Sequence, residues 1–327
     1  MGADCTSWLR GEMLTVSSAA VSIIIPSHNA AEYLADALQS VRDQTLRDFD
    51  CLIVDDGSVD ASRSIAQQFA DHDERFKLIT LYGRQGASNC RNSAIEQATG
   101  RWIALLDADD LFLPDRLEVL TAVAEREGAD IVFDDQWVTE YPSTDLSRRA
   151  FGFKQQHEFT QEDFFSGSRL FRRPFPTGYM KPLIRRAFLE AAGAAYDASV
   201  PSGEDFLFYA ELFAGRPRCI ATNFAGYVYR RRRGSLSRSD EHLHHHADLG
   251  ERILSRVGDR LSVDSRAALA GRRRDFEQLA KALPAVRALQ TRDWRGFAGA
   301  VASNPELLGT IAKQLRTAAL RCANRRQ

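Results

Sequence analysis

The amino-acid sequence predicts an α/β fold with a mostly parallel central sheet and helices on both of its faces. Two observations predict it: short apolar runs rich in β-branched residues, and helical patterns that alternate with these runs. Together they give a β-α-β-α-β order, which is typical of layered α/β domains. The predicted strands are VSIIIP at 21–26, CLIVDD at 51–56, FKLITL at 76–81, WIALLD at 102–107 and ADIVFDD at 129–135.

The helices predicted between the first strands follow from apolar residues at three-to-four spacing. These residues are Leu34, Leu38 and Val41 in the first helix and Ile65, Ala66 and Phe69 in the second. Beyond residue 135 the alternation ends, and the segment to about residue 180 is predicted to be irregular. The later segments IRRAFLEAAG and EDFLFYAELFAG predict helices, CIATNFAGYVYR predicts a strand, and the pattern from about residue 240 onward is helical.

The composition is that of an ordinary globular protein, with 44% hydrophobic and 27% charged residues. A net charge of -1 gives no general attraction to nucleic acid, so no nucleic-acid partner is expected. The five cysteines include no CxxC pair, which argues against a disulfide framework or a zinc site and favours a reducing, cytoplasmic location. No apolar run reaches about 18 residues, so no membrane-spanning segment is predicted.

Polar and acidic side chains follow three of the predicted strands at the point where each strand ends. In open parallel sheets, ligands bind beyond the carboxyl ends of the strands. Solvation alone explains one polar strand end, but three at one edge indicate a shared site. The residues are Ser27, His28 and Asn29 after the first strand, Asp55 and Asp56 after the second, and Asp107, Asp109 and Asp110 after the fourth.

The pair of aspartates in Asp107-Ala108-Asp109 suits a hard divalent cation, Mg²⁺ or Mn²⁺, whose coordination a diphosphate would complete. Asp55 is a candidate acceptor for the base or ribose of a nucleotide, and Arg91 is a candidate donor to base carbonyls. No GxGxxG follows the first strand and no GxxxxGK[ST] occurs, so the sequence does not favour a dinucleotide-binding oxidoreductase or a P-loop phosphotransferase.

Four segments, in their order and spacing, resemble the family 2 glycosyltransferases of GT-A fold, in particular bacterial exopolysaccharide and surface-glycan enzymes of the succinoglycan-biosynthesis type. The segments are VSIIIPSHNAAEYLADALQSVRDQT, CLIVDDGSVDAS, GASNCRNSAIEQATGRWIALLDADDLFLPDRL and PSGEDFLFYAELF. The resemblance covers about residues 20 to 240. It implies an N-terminal extension at 1–20, a nucleotide-sugar-binding half at 21–135, an acceptor-binding and catalytic-base half at 136–239, and a helical C-terminal region at 240–327.

The resemblance also implies roles for individual residues. The residues implied for the nucleotide-base pocket are Pro26, His28, Asn29, Asp55 and Arg91, with His28 standing where the family often has an aromatic residue. The DxD motif is Asp107, Ala108 and Asp109: Asp109 would ligate the metal, and Asp107 would be a second ligand or reach the ribose or donor sugar. Asp110 would help to position the donor or a metal-bound water.

The segment GED matches the catalytic-base motif of the family, with Asp205 as the base and Glu204 orienting the acceptor or the base. Displacing a nucleoside diphosphate from an anomeric carbon with inversion needs a carboxylate to take the acceptor hydroxyl proton. It also needs a cation to stabilise the departing diphosphate. The alternative is that both acids only favour the N-terminus of the helix that they open.

Three basic or histidine-rich segments carry further predictions. In YVYRRRRGSLSR, candidates for contact with a diphosphate or an anionic lipid carrier are Arg231, Arg233 and Ser235, the alternative being a solvated surface. His242 and His246 have helical i, i+4 spacing. One of them would contact the DxD cation, or both have a structural role. The tail PELLGTIAKQLRTAALRCANRRQ predicts a basic amphipathic helix that packs on its own domain or lies on an anionic membrane surface.

These observations predict an inverting, metal-dependent glycosyltransferase. It would move a hexose, with glucose expected, from a UDP-sugar to a growing or lipid-linked oligosaccharide, in the cytoplasm and peripherally at the inner membrane face. One alternative is a catalytically inactive nucleotide-sugar-binding scaffold of a polysaccharide assembly complex, which is expected to lack the DxD motif or the base. Another is a nucleotidyltransferase, which would have a glycine-rich basic loop where this chain has PSHNAAEYL.

Overall fold

One sheet of nine strands runs through the part of the chain that the computed structural model describes, and helices cover both of its faces. The structure describes residues 19–170, 172, 175–232, 241–303, 308–309 and 311–312. The strands are β1 (Val21–Ser27), β2 (Phe49–Asp55), β3 (Phe76–Thr80), β4 (Trp102–Leu105), β5 (Leu111–Phe112), β6 (Ile131–Glu140), β7 (His157–Glu158), β8 (Leu183–Arg185) and β9 (Cys219–Arg231). The α-helices are α1 (Leu34–Arg42), α2 (Ser62–His72), α3 (Ala87–Gln97), α4 (Arg116–Glu127), α5 (Gln161–Gly167), α6 (Arg186–Ala192), α7 (Glu204–Ala214), α8 (Glu241–Val257), α9 (Val263–Gln290) and α10 (Trp294–Ser303).

The strand order is β3-β2-β1-β4-β8-β6-β9-β5, with β7 paired to β9. Strands β1 to β4, β6 and β9 run in one direction, and β5, β7 and β8 run in the other. The predicted α/β fold with a mostly parallel sheet is therefore confirmed. In the pairing of β1 with β2, Ser27 lies opposite Asp55, so the polar residues that follow these strands share one edge of the sheet.

Strands β1, β2 and β4 are mainly apolar because both of their faces are buried, whereas β3 lies at the edge of the sheet and exposes Lys77 and Thr80. Ile23 and Ile25 belong to an apolar cluster that includes Leu34 of α1, whereas Ile24 belongs to a second cluster that includes Phe206 of α7. Successive side chains of a strand point to opposite faces, so a strand covered on both faces needs apolar residues at every position. This burial explains the runs from which the sheet was predicted.

The structure differs from the prediction in the segment after residue 135. Strand β6 continues to Glu140, and α5 lies where irregular structure was predicted. The predicted strand ended at two buried acids: Asp134 pairs with Arg116 at 2.8 Å, and Asp135 accepts backbone hydrogen bonds from residues 151–153. The proposed division between residues 135 and 136 falls inside β6, and the sheet continues across both halves.

The C-terminal helices pack on the sheet domain through α7. Leu249 of α8 and Leu269 of α9 are buried in the same cluster as Phe206. The described residues beyond 240 are mainly helical, as predicted, and Ile311 is buried against α9. Most of the basic amphipathic segment lies outside the described residues. Among the helices that the structure describes, none is long and apolar enough to cross a membrane.

Candidate active site

A cavity of about 640 Å³ opens between the DADD segment that follows β4 and the first turn of α7. It lies at the carboxyl edge of the parallel strands, where ligands bind in open α/β sheets. Helices α8 and α9 contribute to its other end. The sequence-predicted residues that line it are Arg91, Asp107, Asp109, Glu204, Asp205 and Arg231.

Two buried cations join the acids of the DxD motif to the acids of the GED motif. Arg91 on α3 donates a hydrogen bond of 2.9 Å to Asp107 and one of 3.0 Å to Glu204. Lys181, which lies just before β8, contacts the other oxygen of Asp107 at 2.9 Å and donates to Asp205 at 2.8 Å. Each cationic side chain is only 5% exposed. The two motifs therefore form one ion-pair network.

Charge pairing outweighs burial within this network. Burial by itself would raise the pKa of Asp107, but the charges of Lys181 and Arg91 hold that pKa below its usual range. Burial would lower the pKa of both cations, but the neighbouring carboxylates raise it well above the ordinary values. Asp107, Lys181 and Arg91 are therefore all charged at neutral pH.

Asp205 has one carboxylate oxygen without a hydrogen-bond partner. Oδ2 accepts from Lys181, whereas Oδ1 lies 3.7 Å from Arg91 and makes no hydrogen bond of ordinary geometry among the described residues. The carboxylate also lies near the buried hydroxyl of Tyr196, whose pKa its charge helps to raise. Buried polar atoms in proteins nearly always have a partner, so an orphaned oxygen at a cavity indicates an atom that a ligand would satisfy. Glu204 and Asp205 also occupy the first turn of α7, where acidic side chains are favourable in any case.

Asp109 faces the arginines of β9 and the residue that follows it. Its side chain is 26% exposed, and Arg232 contacts its Oδ2. Arg230 donates to the backbone carbonyl of Asp109 at 2.6 Å, and Arg231 pairs with Glu140 at 3.0 Å. Two further candidates from the arginine-rich run lie outside the described residues: Arg233 and Ser235.

The donor set fits a divalent cation held by Asp109 more readily than by Asp107. Both oxygens of Asp107 are engaged by Arg91 and Lys181, whereas the described contacts engage only one oxygen of Asp109. Mg²⁺-type sites commonly use one or two carboxylates and complete their coordination with phosphate oxygens and water. No group of three His, Cys, Asp or Glu side chains among the described residues could hold a metal ion. A cation here would therefore need the oxygens of a substrate.

Asp110 and Ala108 are buried beside the cavity rather than in its lining. Asp110 accepts a hydrogen bond of 2.6 Å from the Tyr227 hydroxyl and one of 2.8 Å from the backbone N–H of Arg230. Burial, followed by the charges of the other two aspartates of the segment, raises the pKa of Asp110 well above its usual value. Its contacts tie β9 to the DADD segment.

The residues predicted for the nucleotide base lie at the neighbouring strand ends, outside the lining of this cavity. His28 Nδ1 lies 2.8 Å from the carbonyl oxygen of Asp56, which makes that nitrogen the donor, and Asn29 Nδ2 lies 3.2 Å from His28 Nε2. Asp55 is 1% exposed, and its Oδ1 has no partner among the described residues. Arg91 lies in the acidic network instead. The four residues at this edge are Pro26, His28, Asn29 and Asp55.

Two functional candidates were not found from the sequence. Lys181 lies in a segment that its prolines and glycine marked only as a loop, so no pattern pointed to it. Arg272 lies in a basic stretch of α9 that resembles solvated surface. His246 lines the cavity, where it contacts Arg272 and stacks on Phe276 with the rings 4.9 Å apart. The side chain of His242 lies outside the described residues.

Comparison with known proteins agrees with these motifs. Residues 22–190 match the model of "Glycosyl transferase family 2". The chain is 34% identical to the succinoglycan biosynthesis protein ExoO of Rhizobium meliloti (strain 1021), over 67% of this chain and 62% of that protein, so it spans less than two thirds of that relative's length.

Two solved structures show the same fold. S. aureus TarS 1-349 in complex with UDP-GlcNAc has a TM-score of 0.60 at 18% identity, covering 88% of this chain and 91% of that one. The mannosyltransferase PcManGT from Pyrobaculum calidifontis, in complex with GDP-Man and Mn²⁺, has a TM-score of 0.52 at 17% identity, covering 94% and 87%. Because the family model matches more than half of the chain, this protein belongs to glycosyl transferase family 2 and has the GT-A fold that the sequence resemblance implied.

Proposed function

We propose that this chain is an inverting, metal-dependent glycosyltransferase. It transfers a hexose, glucose in the first instance, from a UDP-sugar to a growing or lipid-linked oligosaccharide in exopolysaccharide or surface-glycan synthesis. The observation that carries the proposal is the network through which Arg91 and Lys181 join the DxD and GED acids in one cavity. Family membership supplies the reaction class, and the similarity to a succinoglycan biosynthesis protein supports the class of product.

The charge of the cavity supports an anionic donor. Its cationic lining residues are Arg84, Arg91, Lys181, Arg230, Arg231, Arg232 and Arg272, and its acidic ones are Asp107, Asp109, Glu204 and Asp205. Arg230 and Arg231 also pair with Asp36 and Glu140 outside the lining, so the lining is rich in arginines that are already partly balanced. Guanidinium groups match the geometry of phosphate oxygens, so these arginines favour a nucleoside diphosphate.

The orphaned oxygen of Asp55 supports uracil as the base. A carboxylate only accepts hydrogen bonds, so Asp55 Oδ1 would pair with the imide N–H of uracil; cytosine has no N–H at that ring position, and guanine, which has a ring N–H, is separated from uracil by the test with GDP below. Pro26, His28 and Asn29 lie at the same edge of the sheet and would form the wall beside the base. Arg91 would act from the side of the donor sugar, since it lies in the acidic network.

Asp109 would hold the divalent cation together with diphosphate oxygens and water. When bound, the cation would neutralise charge that develops on the departing diphosphate. Arg231 and Arg232 line the same part of the cavity and would contact that group directly. The corresponding roles of Arg233 and Ser235 stay predictions.

Asp205 Oδ1 would receive the proton of the acceptor hydroxyl as that oxygen attacks the anomeric carbon. The bond from that carbon to the diphosphate breaks on the opposite face, so the configuration of the sugar inverts. Lys181 holds the other oxygen of Asp205 in place, and Glu204, fixed by Arg91, would orient the acceptor.

A lipid-linked acceptor would bring the protein to the inner face of the cytoplasmic membrane as a peripheral protein. Burial of Ile311 against α9 favours packing, rather than membrane contact, for the start of the basic amphipathic segment. Contact through the later part of that segment stays a prediction.

The first test is the thermal stability of the protein with UDP, GDP, CDP or NAD, each with and without Mn²⁺. A ligand at 100 times its dissociation constant stabilises the folded state by about 2.7 kcal/mol, which shifts the midpoint measurably. We expect a Mn²⁺-dependent shift with UDP that is lost in Asp109→Ala. The control Asp71→Ala, at an exposed position of α2, should respond as the wild type does. Absence of any nucleotide shift in the wild type would contradict the donor assignment.

A second test separates donor binding from the chemical step. With UDP-glucose and a bacterial lipid extract as acceptor, we expect the wild type to release UDP, and Asp205→Asn should keep the UDP shift but lose this release. Normal release by Asp205→Asn would remove this residue as the base. Nucleotide binding by a wild type that transfers no sugar would favour the scaffold alternative.

A further inference from the structure

The end of the cavity formed by α8 and α9 contains a buried arginine. Arg272 is 3% exposed, and its guanidinium lies between the rings of Phe206 and Phe276, at 4.1 and 4.6 Å from their centroids. It donates to the carbonyl oxygen of His246 at 2.8 Å and also contacts the ring of that residue. This end lies beyond residue 190, where the match to the family model stops.

Arg272 has no carboxylate partner among the described residues. The acid nearest to it along its own helix, Asp275, is held by two hydrogen bonds of 2.9 Å from Arg169. The Nε of Arg272 has no hydrogen-bond partner in the described part of the chain. Burial lowers the pKa of Arg272 to about 9, so the guanidinium still carries its charge at neutral pH. A buried cation without a counter-ion is costly, and an anion in the cavity would offset that cost.

The walls around Arg272 are apolar. The rings of Phe206 and Phe276 lie against its guanidinium, and Leu170 and Leu279 also line the cavity. One cation among apolar walls suits an oxyanion that is attached to a hydrocarbon, whereas a strongly hydrated free ion would lose its water without replacement.

This end of the cavity is in direct contact with the turn that carries the proposed base. Gly203 precedes Glu204, and a methyl group at Gly203 would lie 2.7 Å from Cε1 of His246. Arg272 is therefore separated from the GED turn by a single side chain, His246. An acceptor that places its hydroxyl at Asp205 would extend its next group toward Arg272.

We propose that Arg272 binds the phosphate that joins an acceptor sugar to its lipid carrier, with the hydrocarbon against the apolar walls of α9. This inference rests on the proposed function, because it assigns the acceptor side of the same cavity. It makes Arg272 a specificity-determining residue for acceptors that carry a phosphate on a hydrocarbon chain.

The test measures binding of decyl phosphate, decyl glucoside and inorganic phosphate below micelle-forming concentrations, with UDP and Mn²⁺ saturating the donor site. The variants are Arg272→Met, Arg272→Lys and the control Arg273→Met, which changes a 43% exposed arginine on the same helix. We expect the wild type to bind decyl phosphate at least roughly tenfold more tightly than either other probe, as the loss of one charged hydrogen bond predicts. Arg272→Met should abolish this preference, Arg272→Lys should keep part of it, and Arg273→Met should keep it fully.

Two results would overturn the inference while leaving the proposed function intact. One is that the wild type binds decyl glucoside or inorganic phosphate as tightly as decyl phosphate. The other is that Arg272→Met keeps the wild-type preference for decyl phosphate. If Arg272→Met fails to fold, the affinities of the wild type and of Arg272→Lys for the three probes still test the inference. Loss of the UDP response in the wild type would instead count against the proposed function itself.

Discussion

Replacing Lys181 by methionine tests whether one buried cation holds the two acidic motifs together. Lys181 makes contacts of 2.9 Å with Asp107 and 2.8 Å with Asp205, and its side chain is 5% exposed. A hydrogen bond to a charged group contributes about 1.5–3 kcal/mol, and breaking a buried pair costs about 3–5 kcal/mol. Arg91 remains near both carboxylates, which are 26% and 16% exposed, so we expect the lower end of that range. The predicted loss in the free energy of unfolding is about 3 kcal/mol.

Urea unfolding provides the measurement, with Lys77→Met as the matched control. Lys77 also pairs with an aspartate, at 3.1 Å, but its side chain is 53% exposed, so its replacement should cost less than about 1 kcal/mol. Asp205→Asn combined with Lys181→Met should cost less than the sum of the two single changes, because the double variant leaves no charge at position 205. A Lys181→Met protein as stable as the wild type, to within roughly 0.5 kcal/mol, would refute the assignment of Lys181 as the bridging cation.

Three further predictions concern single positions. Gly203→Ala should lower both the rate of sugar transfer and the urea midpoint of unfolding more than Gly193→Ala does. Both glycines have positive φ, 84° and 59°, but only Gly203 lacks room for a methyl group. Equal effects of the two substitutions would contradict this reasoning. Arg116→Met should reduce the free energy of unfolding by about 3–5 kcal/mol, because it leaves Asp134 charged and fully buried. A reduction of less than about 1 kcal/mol would contradict this expectation. Burial raises the pKa of the Cys90 thiol to about 12, so iodoacetamide at pH 8 should modify it at least roughly tenfold faster in urea than in the folded protein. Because the folded pKa lies above the ordinary value of 9.0, the contribution of this thiol to stability is complete below pH 9 and is lost as the pH rises toward 12; equal alkylation rates would contradict the burial.

The sheet could be predicted where its residues follow local rules. β1, β2 and β4 are buried on both faces, so their sequences are continuous apolar runs that end in polar residues. β6 was predicted only as far as Asp135, although it continues to Glu140; the two acids inside it are buried because Arg116 and the backbone of residues 151–153 are their partners. A polar residue inside a strand is compatible with burial only when such distant partners exist, and one sequence does not show them.

The candidate site was predictable to the extent that its residues belong to short motifs. The structure brings Asp107, Asp109, Glu204 and Asp205 to one cavity, as the spacing of the motifs implied. Lys181 was not predictable, because its position depends on β8, which runs antiparallel between β4 and β6. That insertion is a property of the whole sheet and leaves no periodic signal in the sequence around the lysine.

The resulting network explains how the chain tolerates several carboxylates at the end of a buried strand. Like charges at such a position would repel and resist loss of water. Arg91 contacts Asp107 and both acids of the GED motif, and Lys181 contacts Asp107 and Asp205, so the protein supplies two of the compensating charges itself. The same two cations fix Asp107 of the DxD motif relative to the acids of the GED motif. Asp109 is the acid of the DxD motif that neither of them contacts; Arg232 contacts one of its oxygens, and the other is the oxygen at which the proposed metal and diphosphate would bind.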